Sequence, residues 1–327
     1  MFDVITFGSA TQDIFLESKK FLPVAGKIFA TGEGLCLPSG AKIEVENIFL
    51  ASGGGGTNAA ATFAHQGFKT AYCGMVGADS LGDLIINELK QYNINTSLIK
   101  KTEKLPTSTS VLLMQPGSDR TILVYRGAAD VLKRKDIMWD KIKKTKWFYL
   151  APFAGKLTEL TEALVVFAVK NKLKVAFNPG YNQLTLPATT LRRILKKIDV
   201  LILNQEEASL LTKIPYQKEK EILKKIDQLT AGIVIMTKGG AGATVSDGRN
   251  LYHAPSLGMK MVDATGAGDA FGSGFVSGLL QRNDVVYAIQ LAMANSSYAI
   301  TKLGAKEGLL KKGAKWPKVK VEKKPYE

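Results

Sequence analysis

The sequence predicts an α/β protein with one mostly parallel β-sheet, helices on both faces of that sheet and a small second sheet beside it. Apolar strand-like runs alternate with amphipathic helical patterns through most of the 327 residues, and the links between them are short. Ribbons of alternating polar and apolar residues in the first 130 residues instead predict strands with one exposed face. No internal repeat, linker or low-complexity segment divides the chain before its basic end, so we expect one domain.

Composition excludes several classes of protein. Hydrophobic residues make up 46% and charged residues 22% of the chain, which is ordinary for a soluble globular protein. No apolar run reaches the roughly 18 residues that a membrane span needs. The strand-like start at Phe2 leaves no place for a signal peptide. Cys36 and Cys73 have neither metal-site nor disulfide-framework spacing. We therefore expect a cytoplasmic protein with no membrane partner.

The formal net charge of +15 raises the question of a nucleic-acid partner. Many of the lysines lie in helical patterns such as 191–198 and 218–229, where they predict solvated helix faces. The segment 311–327 is the densest basic block, and we interpret it as a C-terminal surface tail that follows a domain spanning 1–310. Basic and aromatic residues are not interleaved as single-strand binding requires, so no nucleic-acid partner is expected.

Apolar patterning and turn residues predict the elements in chain order. Strands are expected at 2–8, 42–46, 70–76, 110–114, 121–125, 146–150, 174–178, 200–204 and 232–237. Helices are expected at 59–66, 80–92, 157–171, 191–198, 205–211, 218–229, 270–280 and 285–300. The segment 9–13 is predicted to be a loop, and the turn residues at 115–119 predict a hairpin.

The stretch 263–280, DATGAGDAFGSGFVSGLL, combines an apolar lead-in, a turn of small residues and a helix rich in small residues. No large side chain blocks the backbone amides of the turn, so these can converge on an anion beside the helix N-terminus. Asp269 follows at the mouth of this site, where it can accept a proton from a hydroxyl that attacks a phosphate. Two alternatives stay open on pattern alone: a junction that needs small residues for packing, and a dinucleotide-binding fingerprint.

This stretch closely resembles the C-terminal signature of the PfkB, or ribokinase-like, family of sugar and nucleoside kinases. The resemblance implies a ribokinase-like three-layer sandwich with a small β-sheet that forms a lid over the acceptor. The lid corresponds to about 14–50 and 106–127 of this sequence. In many members of the family the lid is also the face through which two subunits form a homodimer.

The resemblance also implies a reaction, which is ATP-dependent phosphoryl transfer to a hydroxyl of a sugar. Asp269 corresponds to the catalytic base, and the amides of Gly266, Ala267 and Gly268 correspond to the anion hole. Two alternatives to this function remain. One is a nucleoside kinase, and the other is a non-catalytic protein that binds a sugar or nucleotide on the same scaffold.

The acceptor site is expected at the run 53–58, GGGGTN, which begins a helix of small residues. Four consecutive glycines cost conformational entropy, which indicates that the backbone approaches a ligand or another chain closely. By the resemblance, Gly53, Gly54 and Asn58 contact the sugar, and Asp13 accepts hydrogen bonds from two of its hydroxyls. From the residues alone, Asp13 is equally well explained as a cap of a helix or turn.

Nucleotide contacts are expected at three strand ends of the second half and in one late helix. The resemblance assigns them to Asn178, Asn204, Thr237, Lys238, Gly239 and Asn295. Asn204 and Glu207 resemble the family's N-x-x-E motif, in which the carboxylate reaches Mg²⁺ through water. The same two residues equally predict a helix N-cap with a capping box. Core packing explains Asn295 as well as an approach to adenine does.

A monovalent cation such as K⁺ is a further cofactor in several relatives. Asp263, Thr265 and Gly304 correspond to the positions that frame its site.

Absent residues and motifs narrow the chemistry. Several relatives have a lysine where Gly55 stands, so one charged contact is missing here. No G-x-x-x-x-G-K-[ST] sequence occurs, which excludes a P-loop nucleotide-binding protein. His65 and His253 lack the spacing of metal ligands or of a nucleophile's partner, and are interpreted as structural.

Overall fold

The computed structural model describes residues 1–29, 32–115, 120–153 and 158–326. The strands in these ranges are β1 (Phe2–Phe7), β2 (Thr11–Glu17), β3 (Leu22–Ala25), β4 (Glu33–Cys36), β5 (Asn47–Gly53), β6 (Thr70–Cys73), β7 (Met75–Gly77), β8 (Lys100–Thr102), β9 (Thr109–Met114), β10 (Thr121–Tyr125), β11 (Thr145–Leu150), β12 (Lys174–Phe177), β13 (Val200–Asn204), β14 (Ile233–Thr237), β15 (Ala243–Ser246), β16 (Asn250–Ala254) and β17 (Glu322–Pro325). The α-helices are α1 (Gly55–His65), α2 (Ser80–Gln91), α3 (Trp139–Ile142), α4 (Thr158–Lys170), α5 (Tyr181–Leu184), α6 (Ala188–Leu195), α7 (Gln205–Thr212), α8 (Glu219–Asp227), α9 (Ala267–Arg282) and α10 (Val285–Ala299).

The main sheet has nine strands in the order β17-β16-β15-β14-β13-β12-β11-β1-β6. The six strands from β14 to β6 pair in parallel, and β15, β16 and β17 pair antiparallel at one edge. Apolar side chains of α4, α6, α7 and α8 pack on one face of the sheet, and those of α1, α9 and α10 pack on the other. Both faces are therefore buried, which explains the continuous apolar runs of the parallel strands. The predicted three-layer α/β fold is confirmed.

Parallel strands place their carboxyl ends along a single edge of the sheet. The segments that follow β1, β11, β12, β13 and β14 therefore meet at this edge, where open α/β sheets bind their ligands.

A separate four-stranded sheet, in the region predicted to be the lid, has the order β10-β9-β2-β5. Its boundaries correct two predictions. The strand expected at 42–46 is absent, because the pairing with β2 begins at Asn47 and runs to Gly53. The segment 9–13, expected to be a loop, already enters β2 at Thr11. Of the predicted hairpin turn, residues 116–119 lie outside the described residues.

The C-terminal segment 311–327, expected to be a surface tail, contributes to the main sheet. In it, β17 pairs antiparallel with β16 from Glu322 to Pro325. Val319 is buried in the core cluster that covers the α9–α10 face of the sheet. The last strand thereby becomes the edge of the nine-stranded sheet.

Candidate active site

The glycine turn leads directly into α9. Gly266 has the positive φ of 74° at the helix N-cap, a conformation that glycine adopts without steric cost. Among the described residues, no acceptor is bonded to the amides of Gly266 and Gly268. The amide of Ala267 donates to Ala264 O at 3.2 Å and is engaged in the turn. A Cβ at Gly268 would meet nothing within 4 Å, so the helix N-terminus is sterically open to an anion.

Close packing explains the glycines further along α9. A Cβ at Gly272 would lie 2.4 Å from the Tyr149 hydroxyl oxygen, and one at Gly278 would lie 2.5 Å from Ala288 Cα. The packing alternative therefore applies to the body of the helix. The turn itself follows the antiparallel strand β16, a position that does not fit a dinucleotide fingerprint, which belongs after the first parallel strand.

Asp269 lies where α1 and α9 meet. Asn58 Nδ2 donates a hydrogen bond to Asp269 Oδ2 at 2.9 Å, and this bond fixes the orientation of the carboxylate. Asn58 Oδ1 is buried, and no described residue is bonded to it. Burial raises the pKa of Asp269, while the Asn58 hydrogen bond and the charge of Lys306 oppose that rise. The arrangement can hold a hydroxyl group between the amide oxygen and a carboxylate of raised basicity.

The missing lysine at Gly55 has a steric reason. A Cβ at Gly55 would lie 2.9 Å from Pro152 Cδ and 3.1 Å from Asp269 Oδ1. Pro152 follows β11 at the carboxyl edge of the main sheet, and it occupies space beside Asp269 that a side chain at position 55 would enter.

Asp13 reaches the same cleft from the lid strand β2. It is only 7% exposed, and burial raises its pKa to about 6. A Cβ at Gly53 would lie 1.9 Å from Asp13 Oδ2, so only glycine at this position leaves room for the carboxylate. Gly54 has a φ of 92° at the N-cap of α1. The structure thus brings Asp13, Gly53 and Gly54 to the start of the helix that carries Asn58.

Lys306 is a residue of this site that sequence reasoning missed. It is 2% exposed, and its ammonium group donates to Ser52 O and, at 2.7 Å, to Ser52 Oγ. Glu88 Oε1 lies 3.8 Å from its Nζ. Burial lowers the pKa of Lys306 to about 8, and the charges of Glu88, Asp13 and Asp269 oppose that decrease. Lys306 therefore provides a buried positive charge among the carboxylates of the cleft.

Asn204 and Glu207 form the capping box of α7. Asn204 Oδ1 accepts from Glu207 N at 2.8 Å, and Glu207 Oε2 accepts from Asn204 N at 2.8 Å. Burial raises the pKa of Glu207 to about 7, and the charge of Asp269 adds to the rise. The two carboxylates, Glu207 and Asp269, are therefore close enough for the charge of one to affect the pKa of the other. The capping alternative is confirmed, and it leaves the carboxylate at the edge of the cleft.

No group of three or more His, Cys, Asp or Glu in the described part of the chain could hold a metal ion. Mg²⁺ is bound with few protein ligands where phosphate and water complete its shell. Glu207, a carboxylate that follows β13, is the residue that would face the water shell of a Mg²⁺ ion held by nucleotide phosphates.

Three of the expected nucleotide residues lie at the end of β14, the strand that pairs with the strand of Asn204. Thr237 pairs with Asn204 across β14 and β13, so both lie at the same edge. Gly239 has a φ of 53°, and a Cβ there would meet nothing. Lys238 Nζ forms an ion pair with Glu219 of α8 at 2.9 Å, which holds its charge against the protein.

The other two expected nucleotide residues point into the protein. Asn178 Nδ2 donates to Ile202 O at 3.1 Å. Asn295 is fully buried, where its Nδ2 donates to Thr62 Oγ1 and Ala270 O and its Oδ1 accepts from Leu310 N. These hydrogen bonds favour the packing alternative for Asn295, because its polar atoms are engaged in joining α10 to its neighbours.

Asp263, Thr265 and Gly304 are brought together, but they fit a monovalent cation poorly. Asp263 Oδ1 accepts from Thr265 N at 2.9 Å and from Thr265 Oγ1 at 2.7 Å, and Asp263 Oδ2 accepts from Gly304 N at 3.0 Å. Arg120 Nε lies 3.8 Å from the same carboxylate. Protein donors and a guanidinium thus surround the oxygens that K⁺ would need.

Comparisons with known proteins agree with this geometry. The family model described as "pfkB family carbohydrate kinase" matches residues 3–312. A ribokinase of Lactococcus lactis subsp. lactis (strain IL1403) is 30% identical over 271 residues, which cover 81% of this chain and 85% of the relative.

Two solved structures share the fold. The Arabidopsis thaliana ribokinase complexed with ribose and ATP has a TM-score of 0.77 at 20% identity and covers 95% of this chain and 96% of that chain. The adenosine kinase of Sinorhizobium meliloti has a TM-score of 0.74 at 19% identity and covers 93% and 95%. None of the helices in the described ranges combines the length and the apolar character of a membrane span.

Proposed function

The chain belongs to the pfkB family of carbohydrate kinases, and from this premise we propose that it transfers a phosphoryl group from ATP to a hydroxyl of a sugar or nucleoside. One observation supports the proposal above all others. Asp269 is hydrogen-bonded to Asn58 at the junction of two helix N-termini, and Asn58 Oδ1 is buried without a partner among the described residues. A hydroxyl group between the two would satisfy the amide oxygen and be held against a base.

Asp269 is the proposed base. Burial makes its carboxylate more basic than an exposed one, and Asn58 and Lys306 favour its ionised form. It accepts the hydroxyl proton as the oxygen attacks phosphorus. The amides of Gly266 and Gly268, at the positive end of α9, stabilise the charge that develops on the transferred group. The amide of Ala267 contributes less, because it already donates to Ala264 O.

Mg²⁺ is the proposed cofactor, and when bound it neutralises charge on the nucleotide phosphates. Glu207 is the residue that would hold its water shell. Glu207 has a pKa of about 7, so a nearby divalent cation would favour its ionised form. K⁺ is left out of the proposal, because the surroundings of Asp263 do not suit it.

The acceptor is oriented from two sides in this proposal. Asp13 accepts hydrogen bonds from hydroxyl groups of the sugar, and Asn58 directs the reacting hydroxyl toward Asp269. The lid covers the cleft and excludes water that would otherwise receive the phosphoryl group. We place this reaction in the cytoplasm, in keeping with Cys36 and Cys73, which are free thiols.

A homodimer through the lid is part of the proposal. The face of the lid opposite Asp13 carries apolar side chains, and three of them are more than half exposed: Ile48, Leu50 and Leu123. Such a contiguous apolar patch favours burial against another protein surface. Light scattering on the purified protein tests it, because Leu50→Asp should convert a dimer into a monomer.

The test of the proposed chemistry is Asp269→Asn. This change keeps the volume of the side chain and removes the base, so the rate of acceptor phosphorylation should fall by at least about 100-fold. Calorimetric binding of a non-hydrolysable ATP analogue should remain near normal. Asp140→Asn is the matched control, because that carboxylate is 99% exposed on α3. A variant at Asp269 that keeps more than about a tenth of the wild-type rate would contradict the assignment.

A further inference from the structure

A cavity of about 340 Å³ lies beside the residues that are proposed to hold the acceptor. Ser9, Thr11 and Pro152 line this cavity. Pro152 also packs on Gly55, next to Asp269. The cavity therefore lies close to the proposed catalytic base. Asp13, Asn58 and Asp269 are not among its lining residues, so the cavity is separate from the groups proposed to hold the reacting hydroxyl.

Three aromatic side chains contribute to the lining of the cavity. Tyr125 of the lid, Phe153 after β11 and Tyr181 at the start of α5 line it together with Pro152. Tyr181 is 67% exposed, so its ring is accessible to a ligand in the cavity. Aromatic side chains and a proline offer flat apolar surfaces on which a planar ring can stack.

The charges of the cavity are balanced. Its lining contains one cation, Arg126, and one carboxylate, Asp130, with no lysine among the described lining residues. A phosphate group would therefore meet a carboxylate and gain no net attraction. A phosphorylated sugar is disfavoured as the acceptor for this reason.

Asp130 is the polar group that a ligand would satisfy. It lies in the 3₁₀ turn Gly127–Val131, which follows the lid strand β10. Its Oδ1 is buried, and no residue in the described ranges is bonded to it. A buried carboxylate oxygen without a donor is costly, and the amino or imino group of a heterocycle supplies such a donor.

We propose that this cavity binds the base of a nucleoside, with the ring against the aromatic side chains and one of its N–H groups bonded to Asp130. The inference rests on the proposed function, which it narrows from sugars and nucleosides to nucleosides. The hydroxyl group at Asp269 and the nucleobase in the cavity would be the two ends of one nucleoside. Asp13 would contact the sugar between them.

The experiment compares ribose, fructose 6-phosphate, adenosine, inosine, cytidine and uridine as acceptors for the wild-type protein. At least one nucleoside should exceed both sugars in kcat/KM by about tenfold or more, which is the scale of one stacked base. Tyr181→Ala should lower kcat/KM for that nucleoside by about tenfold, and Asp130→Ala should lower it by a similar factor. Both variants should leave ribose phosphorylation within about twofold of wild type. Tyr216→Ala is the matched control, since that ring is exposed and lies outside the cavity.

Each outcome decides the question. Preference for ribose or fructose 6-phosphate, or an equal loss for ribose and nucleoside in both variants, would overturn the inference and leave the kinase assignment intact. If no acceptor is phosphorylated, the proposed function fails instead. The inference is then decided by calorimetric nucleoside binding, which must weaken in Tyr181→Ala and not in Tyr216→Ala.

Discussion

Replacing Asp13 by Asn should stabilise the ligand-free protein at neutral pH while it removes acceptor binding. Burial raises the pKa of Asp13 from its ordinary value of 3.8 to about 6. The folded protein therefore holds a proton at a pH where the unfolded chain has lost it. Because the unfolded chain binds fewer protons between these two values, the free energy of unfolding decreases as the pH rises through them and stays lower above.

The size of the effect follows from the same two pKa values. The raised pKa of Asp13 lowers the free energy of unfolding by about 3 kcal/mol at pH 7 and by about 1 kcal/mol at pH 4.5. Asn carries no charge, so Asp13→Asn should raise the free energy of unfolding by up to about 3 kcal/mol at pH 7, and by about 2 kcal/mol less at pH 4.5. The first value is an upper bound, because Lys306 loses one of its counter-charges.

Urea denaturation without ligand, at pH 7 and pH 4.5, measures this difference. Asp79→Asn is a control of opposite sign, because Asp79 accepts from Gly82 N and Thr107 N and its pKa is lowered. That variant should be less stable than wild type at pH 7, and the difference should shrink as the pH falls toward the lowered pKa. The reasoning is refuted if the free energy of unfolding of Asp13→Asn does not exceed that of wild type at pH 7. It is also refuted if the increase over wild type at pH 4.5 equals the increase at pH 7.

Three further substitutions test other parts of the site. Lys306→Gln removes a buried positive charge, so the pKa of Asp269 should rise and the acid limb of the kcat/KM profile should move to higher pH; an unmoved limb would contradict the role given to Lys306. Gly53→Ala directs a methyl group at Asp13, so KM for the acceptor should rise about tenfold or more, while calorimetry should show unchanged ATP binding. Asn295→Ala should lower the free energy of unfolding by about 2–3 kcal/mol and leave ATP affinity unchanged, whereas a selective loss of ATP affinity would restore it as a nucleotide contact.

Patterning in the sequence predicted the central strands well because burial leaves a strong local signal there. Strands at 146–150, 174–178, 200–204 and 232–237 appear as β11 to β14 within a residue or two, since both of their faces are covered. The antiparallel strands β15 and β16 were missed although a signal exists. Asp247-Gly248 lies between two runs of alternating residues, which is a typical hairpin sequence. The start of β2 was missed because the polar segment 9–13 was predicted to be a loop, whereas β2 begins at Thr11.

Some features of the candidate site could likewise be predicted from the sequence, and others could not. The positions of Gly266 and Gly53 are predictable from the sequence. Gly266 adopts a positive φ, which favours glycine, and at Gly53 there is no room for a Cβ. Lys306 could not be found from the sequence, since its contact with Ser52 spans 254 positions and lysines are abundant in this chain. The sequence left two roles open for Asn295, a nucleotide contact and core packing, for a related reason. Its partners come from α1, α9 and the segment after α10, and no local pattern records that meeting.

The strand β17 has a consequence for how the protein behaves at high concentration. It covers β16, whose unpaired backbone groups would otherwise invite other chains to add to the sheet. The new border consists of exposed residues and includes Lys323, Lys324 and Pro325, which repel or cannot bond a further strand. The positive charge at the end of the chain is therefore expected to disfavour aggregation through edge-to-edge strand pairing. Truncation after residue 310 would remove β17 and leave β16 as the exposed edge of the sheet.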